Sequence, residues 1–85
     1  MSDKELYQQK KQSQLDEWKA DVDKLKAKVS GASADAQLEI NKQIRDLESK
    51  IEEGKVKLSE LAEAGEDAWE SIKDSVKSAW EKLQP

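Results

Sequence analysis

The chain has 85 residues, of which 40% are charged and 35% are hydrophobic, and its formal net charge is −4. A chain this short and polar cannot enclose a thick globular core, so an elongated helical body is expected. Cysteine and histidine are both absent, which removes disulfide frameworks, thiolate zinc sites and the usual acid–base and nucleophile pairs. We therefore expect a protein that is not an enzyme, with no catalytic residue, no metal ligand and no cofactor.

The first residues carry no recognisable targeting signal. The opening MSDKELYQQKKQ lacks the apolar core of a signal peptide. No later apolar run approaches the length of a membrane span. We expect a cytoplasmic protein of bacterial type.

The first predicted helix covers residues 3–29. Its apolar side chains recur at alternating steps of three and four residues, which is the spacing of a coiled-coil seam. These seam residues are Leu15, Trp18, Val22, Leu25 and Val29. A turn is predicted at residues 30–33, where Gly31 suits a left-handed helix C-cap and Ser33 suits an N-cap.

The second predicted helix begins at residue 34 and has the same apolar spacing. Its seam residues are Ile40, Ile44, Leu47, Ile51, Leu58 and Leu61. In an antiparallel hairpin the numbers of opposed residues add to a nearly constant value, and Trp18 with Leu47 gives 65 while Val22 with Ile44 gives 66. The sequence therefore predicts an all-α fold built on an antiparallel helical hairpin, in which residues beyond about 62 have no partner.

An eleven-residue repeat predicts that the second helix continues to about residue 83. One series in this repeat is Leu47, Leu58, Trp69 and Trp80. This period keeps an apolar stripe on one side of a nearly straight helix. A bend or break is expected only near Gly65, because the acidic Glu66 and Asp67 that follow suit the first turn of a new helix. The alternative fold is a three-helix bundle with a break at Gly65.

A continuous second helix would carry an apolar stripe that the first helix is too short to cover. The stripe consists of Trp69, Ile72, Val76, Trp80 and Leu83. Exposed contiguous apolar surface usually marks an interaction site, so we expect self-association, with a dimer and its four-helix core favoured. Folding back at Gly65 and lying on a membrane surface are the alternatives, and the net acidic polar face disfavours lipid.

The charged residues predict solvated faces rather than binding sites. Lysines and carboxylates interleave along the helices, so nucleic acid is not expected as a partner. A carboxylate stripe also points to solvent, because one helix cannot wrap several oxygen ligands around a cation. The stripe consists of Glu63, Glu66, Asp67, Glu70 and Asp74. Lys4, Lys10 and Lys11 are expected at a frayed, solvated end.

Several segments resemble a family of small bacterial coiled-coil stress-response proteins found in cyanobacteria and proteobacteria. The segments are QLDEWKADVDKLKAK, ASADAQLEINKQIRDLESK and KLSELAEAGEDAWESIKDSVKSAWEKL, and together they cover nearly the whole chain. The resemblance implies an association with stress, without a defined molecular activity or site residues. The eleven-residue period also gives a weaker likeness to exchangeable apolipoproteins and desiccation-protective proteins.

Together these patterns predict a non-enzymatic, stress-associated coiled-coil protein. It would act through self-association, or through chaperone-like or scaffold binding of protein clients by its apolar helix faces. The alternative is a peripheral lipid-binding amphipathic protein.

Overall fold

A computed structural model describes residues 2–83 as three α-helices. They are α1 (Asp3–Val29), α2 (Ala34–Glu63) and α3 (Trp69–Leu83). Residues 2–83 contain no strand, so the all-α prediction is confirmed. The three helices form the three-helix arrangement that the sequence offered as its alternative, in a body of about 53 × 21 × 17 Å. Within the described residues, none of the helices is long and apolar enough to cross a bilayer.

The first helix begins at a serine cap. The Ser2 hydroxyl accepts a hydrogen bond from the Glu5 amide at 3.2 Å, and Asp3 and Glu5 place negative charge in the first turn. Lys26 and Lys28 lie in the last turn, where cations complement the helix dipole. These local signals explain why α1 has the bounds that its sequence predicts.

The turn between α1 and α2 is closed without a left-handed residue. The Gly31 amide bonds the Lys28 carbonyl at 3.4 Å, and no glycine in residues 2–83 has a positive φ. The expected left-handed cap at Gly31 is therefore wrong. The Gln37 amide nitrogen reaches back to the carbonyls of Val29 and Ala32 at 3.1 and 3.2 Å, and it satisfies the end of α1 in place of such a cap.

Two rows of opposed side chains form the interface between α1 and α2. In the row that the sequence pairs as Leu15 with Ile51 and Val22 with Ile44, all four side chains are buried. In the other row Trp18 is buried, while its neighbours along the row are half-buried against the core. The half-buried seam residues of both rows are Leu25, Val29, Ile40, Leu47 and Leu58.

The second helix ends at Glu63, so the expected continuous helix to residue 83 is wrong. Ala64 adopts an extended backbone, and the chain reverses through residues 64–68 before α3 begins. The Lys4 ammonium group, from the other end of the hairpin chain, donates hydrogen bonds to the carbonyls of Ala62 and Ala64. These bonds satisfy carbonyl groups that a continuing helix would have satisfied itself.

Folding back buries the apolar stripe of α3, which the sequence predicted to be exposed until another chain covered it. Trp69, Val76, Trp80 and Leu83 are buried within the same chain, and Ile72 is half-buried against the same core. The physical reason is that the hairpin formed by α1 and α2 presents an apolar surface against which α3 packs. The Trp80 ring stacks on the Trp18 ring with centroids 5.5 Å apart and an interplanar angle of 23°.

Gly54 provides the space in which Trp80 sits. A Cβ atom at this position would lie 2.7 Å from Leu15 Cδ2 and 3.2 Å from Trp80 Cη2. Both neighbours are almost completely buried, so neither can move into solvent. α1 and α3 therefore both pack closely against α2 at Gly54.

Replacing Gly54 by alanine should therefore destabilise the fold. The helix propensity gained is about 1 kcal/mol, whereas overfilling a packed core costs about 1–3 kcal/mol. We expect a net loss that lowers the urea midpoint of unfolding, measured by circular dichroism. Gly31→Ala is the matched control, because nothing lies within 4 Å of its added Cβ. An unchanged or raised midpoint for Gly54→Ala would contradict the close packing.

Candidate functional site

A stack of aromatic rings and lysine ammonium groups joins α1 to α3. Lys11 Nζ lies 5.2 Å from the Tyr7 ring centroid and 5.4 Å from that of Trp80. Lys73 Nζ lies 5.6 Å from the Tyr7 centroid and 5.4 Å from that of Trp69. Each lysine thus bridges two rings, at distances where a cation is attracted to an aromatic face. We call these five residues the aromatic stack.

The stack perturbs the titration of two of its members. Burial raises the pKa of Tyr7, and the nearby Asp74 carboxylate adds to the increase. Burial lowers the pKa of Lys11; Lys10 and Lys77 act in the same direction, while Glu81 opposes them. Because its pKa is raised from 10.0, the Tyr7 phenol stays protonated at neutral pH.

Three buried polar atoms on this side of the hairpin have no hydrogen-bond partner within the described residues. They are Tyr7 Oη, Gln14 Oε1 and Trp80 Nε1. Buried polar groups are usually paired, so their placement costs stability. This cost makes the contact between α1 and α3 weaker than its apolar area alone would suggest.

The third helix covers only one half of the hairpin. With 15 residues, α3 is about 22 Å long, against about 40 Å for the 27 residues of α1. Trp80, near its end, lies over Gly54 and Trp18. The next seam residue of α1, Leu25, lies one heptad beyond Trp18, about 10 Å further along the helix, and the sequence pairs it with Ile40. We call residues 24–48 the turn half of the hairpin, and no third helix of the described chain lies over it.

The most exposed large apolar residues lie outside this row. Leu38 is 71% exposed, and Leu6 and Val56 are each 50% exposed. Leu38 is two residues from Ile40 and so about 200° around the helix. Single exposed apolar residues are normal on a protein surface. The uncovered row at Leu25 and Ile40 is different because it continues a surface that already binds a helix.

An open groove of about 520 Å³ lies between α1 and α2, and none of the residues that line it belongs to α3. Its apolar lining residues are Leu15, Leu58 and Ala62, and the others are glutamate, glutamine, lysine and serine. It is therefore a second surface of the hairpin that α3 does not cover.

None of the charged side chains in residues 2–83 is buried. Within residues 2–83 no group of three or more acidic side chains could hold a metal ion. The single ion pair found there joins Lys57 to Glu60 at 3.6 Å, a surface contact of small energetic value.

Two lysines expected at a solvated end contribute to the structure instead. Lys4 holds the end of α2, and Lys11 belongs to the aromatic stack. The pairing of residue numbers places Lys11 opposite Gly54, but no sequence signal indicates that Trp80 packs beside them.

No protein-family model, no curated protein and no solved structure matches the sequence of this chain. The resemblance to a bacterial stress-response family therefore stays a prediction.

The single tyrosine allows the aromatic stack to be tested directly. The ultraviolet absorbance of phenolate should report a Tyr7 pKa above the ordinary 10.0 in the native protein, and an ordinary value in urea. Asp74→Asn should remove part of the increase, because burial is the larger cause.

Phenolate absorbance tests the stack better than the free energy of unfolding does, because the pKa shifts of Tyr7 and Lys11 change that free energy in opposite directions at alkaline pH. The raised Tyr7 pKa makes stability fall as pH rises above 10.0, whereas the lowered Lys11 pKa makes it rise as pH approaches 10.5. A native Tyr7 pKa equal to the urea value would contradict the stack.

Proposed function

We propose that the chain is a non-enzymatic, stress-associated helical protein that acts by burying apolar helix faces against helices of other chains. Self-association, with a dimer favoured, and chaperone-like or scaffold binding of protein clients are two uses of the same surface. The observation that carries the proposal is the apolar row of the hairpin, which extends past the end of α3 to Leu25 and Ile40.

The packing of α3 indicates how a partner helix would bind. α3 lies over the row at Gly54 and Trp18 and buries its own apolar face there. A helix from another chain could lie over Leu25 and Ile40 in the same groove between α1 and α2. Both residues are half-buried against the core, so the added cover would remove the rest of their surface from water.

The charge of the turn half is compatible with this use. It has five basic and four acidic residues, so it neither repels nor selects a partner strongly by charge. Association would then depend on apolar contact and survive moderate salt. The row at Leu25 and Ile40 is short, so the buried area is small, which favours a weak and reversible complex over a permanent one.

Peripheral lipid binding is the second candidate, and it has less support. The most amphipathic face of the chain belongs to α3, and its large residues are buried in the core. Lipid binding would require α3 to leave the hairpin and expose both of its tryptophans. α3 has three acidic and three basic residues, so it carries no net positive charge that would attract it to anionic headgroups.

Substitution of the row should test the proposal. The wild-type chain should suppress the aggregation of chemically unfolded citrate synthase diluted into buffer, and light scattering should detect weak self-association at high concentration. Leu25→Gln and Ile40→Gln should reduce both effects several-fold. Helix content, measured by circular dichroism, identifies any variant that has simply unfolded.

Leu38→Gln is the matched control, because it makes the same chemical change in the turn half but outside the row. An equal loss for Leu38→Gln, or a wild-type chain that stays monomeric and leaves the reporter to aggregate, would contradict the proposal. Vesicle flotation with neutral and anionic lipids tests the second candidate, and binding that survives high salt would favour it.

A further inference from the structure

We propose that two copies of this chain exchange α3, so that the α3 of each copy occupies the seat between α1 and α2 of the other. In the exchanged dimer, residues 64–68 become helical and join α2 to α3. The partner is a second copy, and the surface is the one around Gly54 and Trp18. This goes beyond the proposed function, because it concerns the covered half of the hairpin rather than the turn half.

The first argument is the register across the chain reversal. Leu58, Trp69 and Trp80 are separated by eleven residues, as are Leu61, Ile72 and Leu83. These intervals span the break, yet they keep the phase of one continuous helix. A helix through residues 64–68 would therefore carry the apolar face of α3 in line with that of α2.

The second argument is that the reversal itself is weakly held. Residues 65–68 are all exposed, and nothing lies within 4 Å of a Cβ placed on Gly65. The segment Ala-Gly-Glu-Asp-Ala contains no residue that forbids a helix. Folding-back is thus maintained by contacts outside the reversal.

Lys4 supplies one of those contacts, and it competes directly with helix formation. Its ammonium group binds the carbonyls of Ala62 and Ala64. In a continuous α-helix the same carbonyls would accept the amide hydrogens of Glu66 and Ala68. Loss of the Lys4 contact should therefore favour the straight form.

The third argument is that exchange preserves the core. α3 runs antiparallel to α2, since its start adjoins the end of α2 and Trp80 lies back over Gly54. Two straight chains related by a two-fold axis near residue 66 would place each α3 antiparallel to the partner's α2. Every contact of α3 then reforms between copies, which is why exchange of an identical element costs little.

The charges near the axis make this exchange dependent on salt. Residues 60–74 contain six acidic residues and one lysine, and exchange brings two such segments together. Their repulsion opposes the dimer at low ionic strength. Raising salt from about 0.01 M to about 1 M shortens the screening length from about 30 Å to about 3 Å, so the dimer fraction should rise.

Two hinge variants test the proposal in opposite directions. Gly65→Ala should favour the straight form by about fivefold at each hinge, and hence the dimer by about 25-fold, from helix propensity alone. Glu66→Pro should abolish exchange, because proline breaks a helix interior. It should leave the folded-back form intact, because the Gly65 carbonyl accepts from Ala68 and Trp69 at 3.0 and 3.1 Å, which makes residue 66 a first-turn position that tolerates proline. Lys4→Met should act like Gly65→Ala.

A crosslink distinguishes exchange from ordinary docking. Val56 and Ala79 line one cleft between α2 and α3, and the chain has no cysteine of its own. The double variant Val56→Cys with Ala79→Cys is therefore joined by a short bifunctional maleimide in separated monomer and dimer fractions, and then denatured.

Exchange predicts covalent dimers from the dimer fraction and crosslinks within single chains from the monomer fraction. A dimer fraction whose crosslinks stay within single chains overturns the proposal, as does a Gly65→Ala chain that stays monomeric at sub-millimolar concentration in high salt. A dimer that forms equally well in Glu66→Pro also overturns it. Leu25→Gln should lower the association that depends on the row but leave the amount of dimer crosslinked between chains unchanged, so failure of the proposed function and failure of exchange give different results.

Discussion

The contact between Trp80 and Gly54 is the one on which the three-helix arrangement depends. The missing side chain at residue 54 lets the indole ring approach the backbone of α2 beside Leu15 and stack on Trp18. Trp80 is one of the two tryptophans of α3, and it is only 1% exposed. The apolar area removed from water there offsets the helical hydrogen bonds given up where α2 ends. A side chain at residue 54 would reduce the apolar area that Trp80 buries, and so weaken this compensation.

The hairpin could be predicted from the sequence because its determinants are local. Serine caps, end charges and a turn of small residues set the bounds of α1, and the three-and-four spacing sets the rows of the interface. The end of α2 could not be predicted in this way. Periodicity reports which face of a helix is apolar, but it does not report which body covers that face. Because α2 and α3 bury the same apolar face in one core, the eleven-residue repeat continues across the reversal without a change of phase.

The candidate surfaces were harder to predict because they combine residues that are distant in the chain. Lys4 and the carbonyl of Ala64 are 60 residues apart in sequence, and the aromatic stack takes members from both α1 and α3. A lysine in a polar N-terminal segment has the same local pattern whether it is solvated or capping another helix. Only the position of α3 distinguishes the two, and that position follows from Gly54 rather than from any pattern around the lysines.

The two halves of the hairpin differ in how completely their side chains are buried within this chain. Around Gly54 three helices share a core whose central side chains are fully buried, whereas around Ile40 two helices share half-buried side chains. Segments with fewer buried contacts open more readily than the core, so the turn half should fray before the rest. A partner that binds only the ordered turn half stabilises it by mass action. Binding and local folding are thereby coupled. A partner that buries more of the row at Leu25 and Ile40 should stabilise the turn half more and bind more tightly.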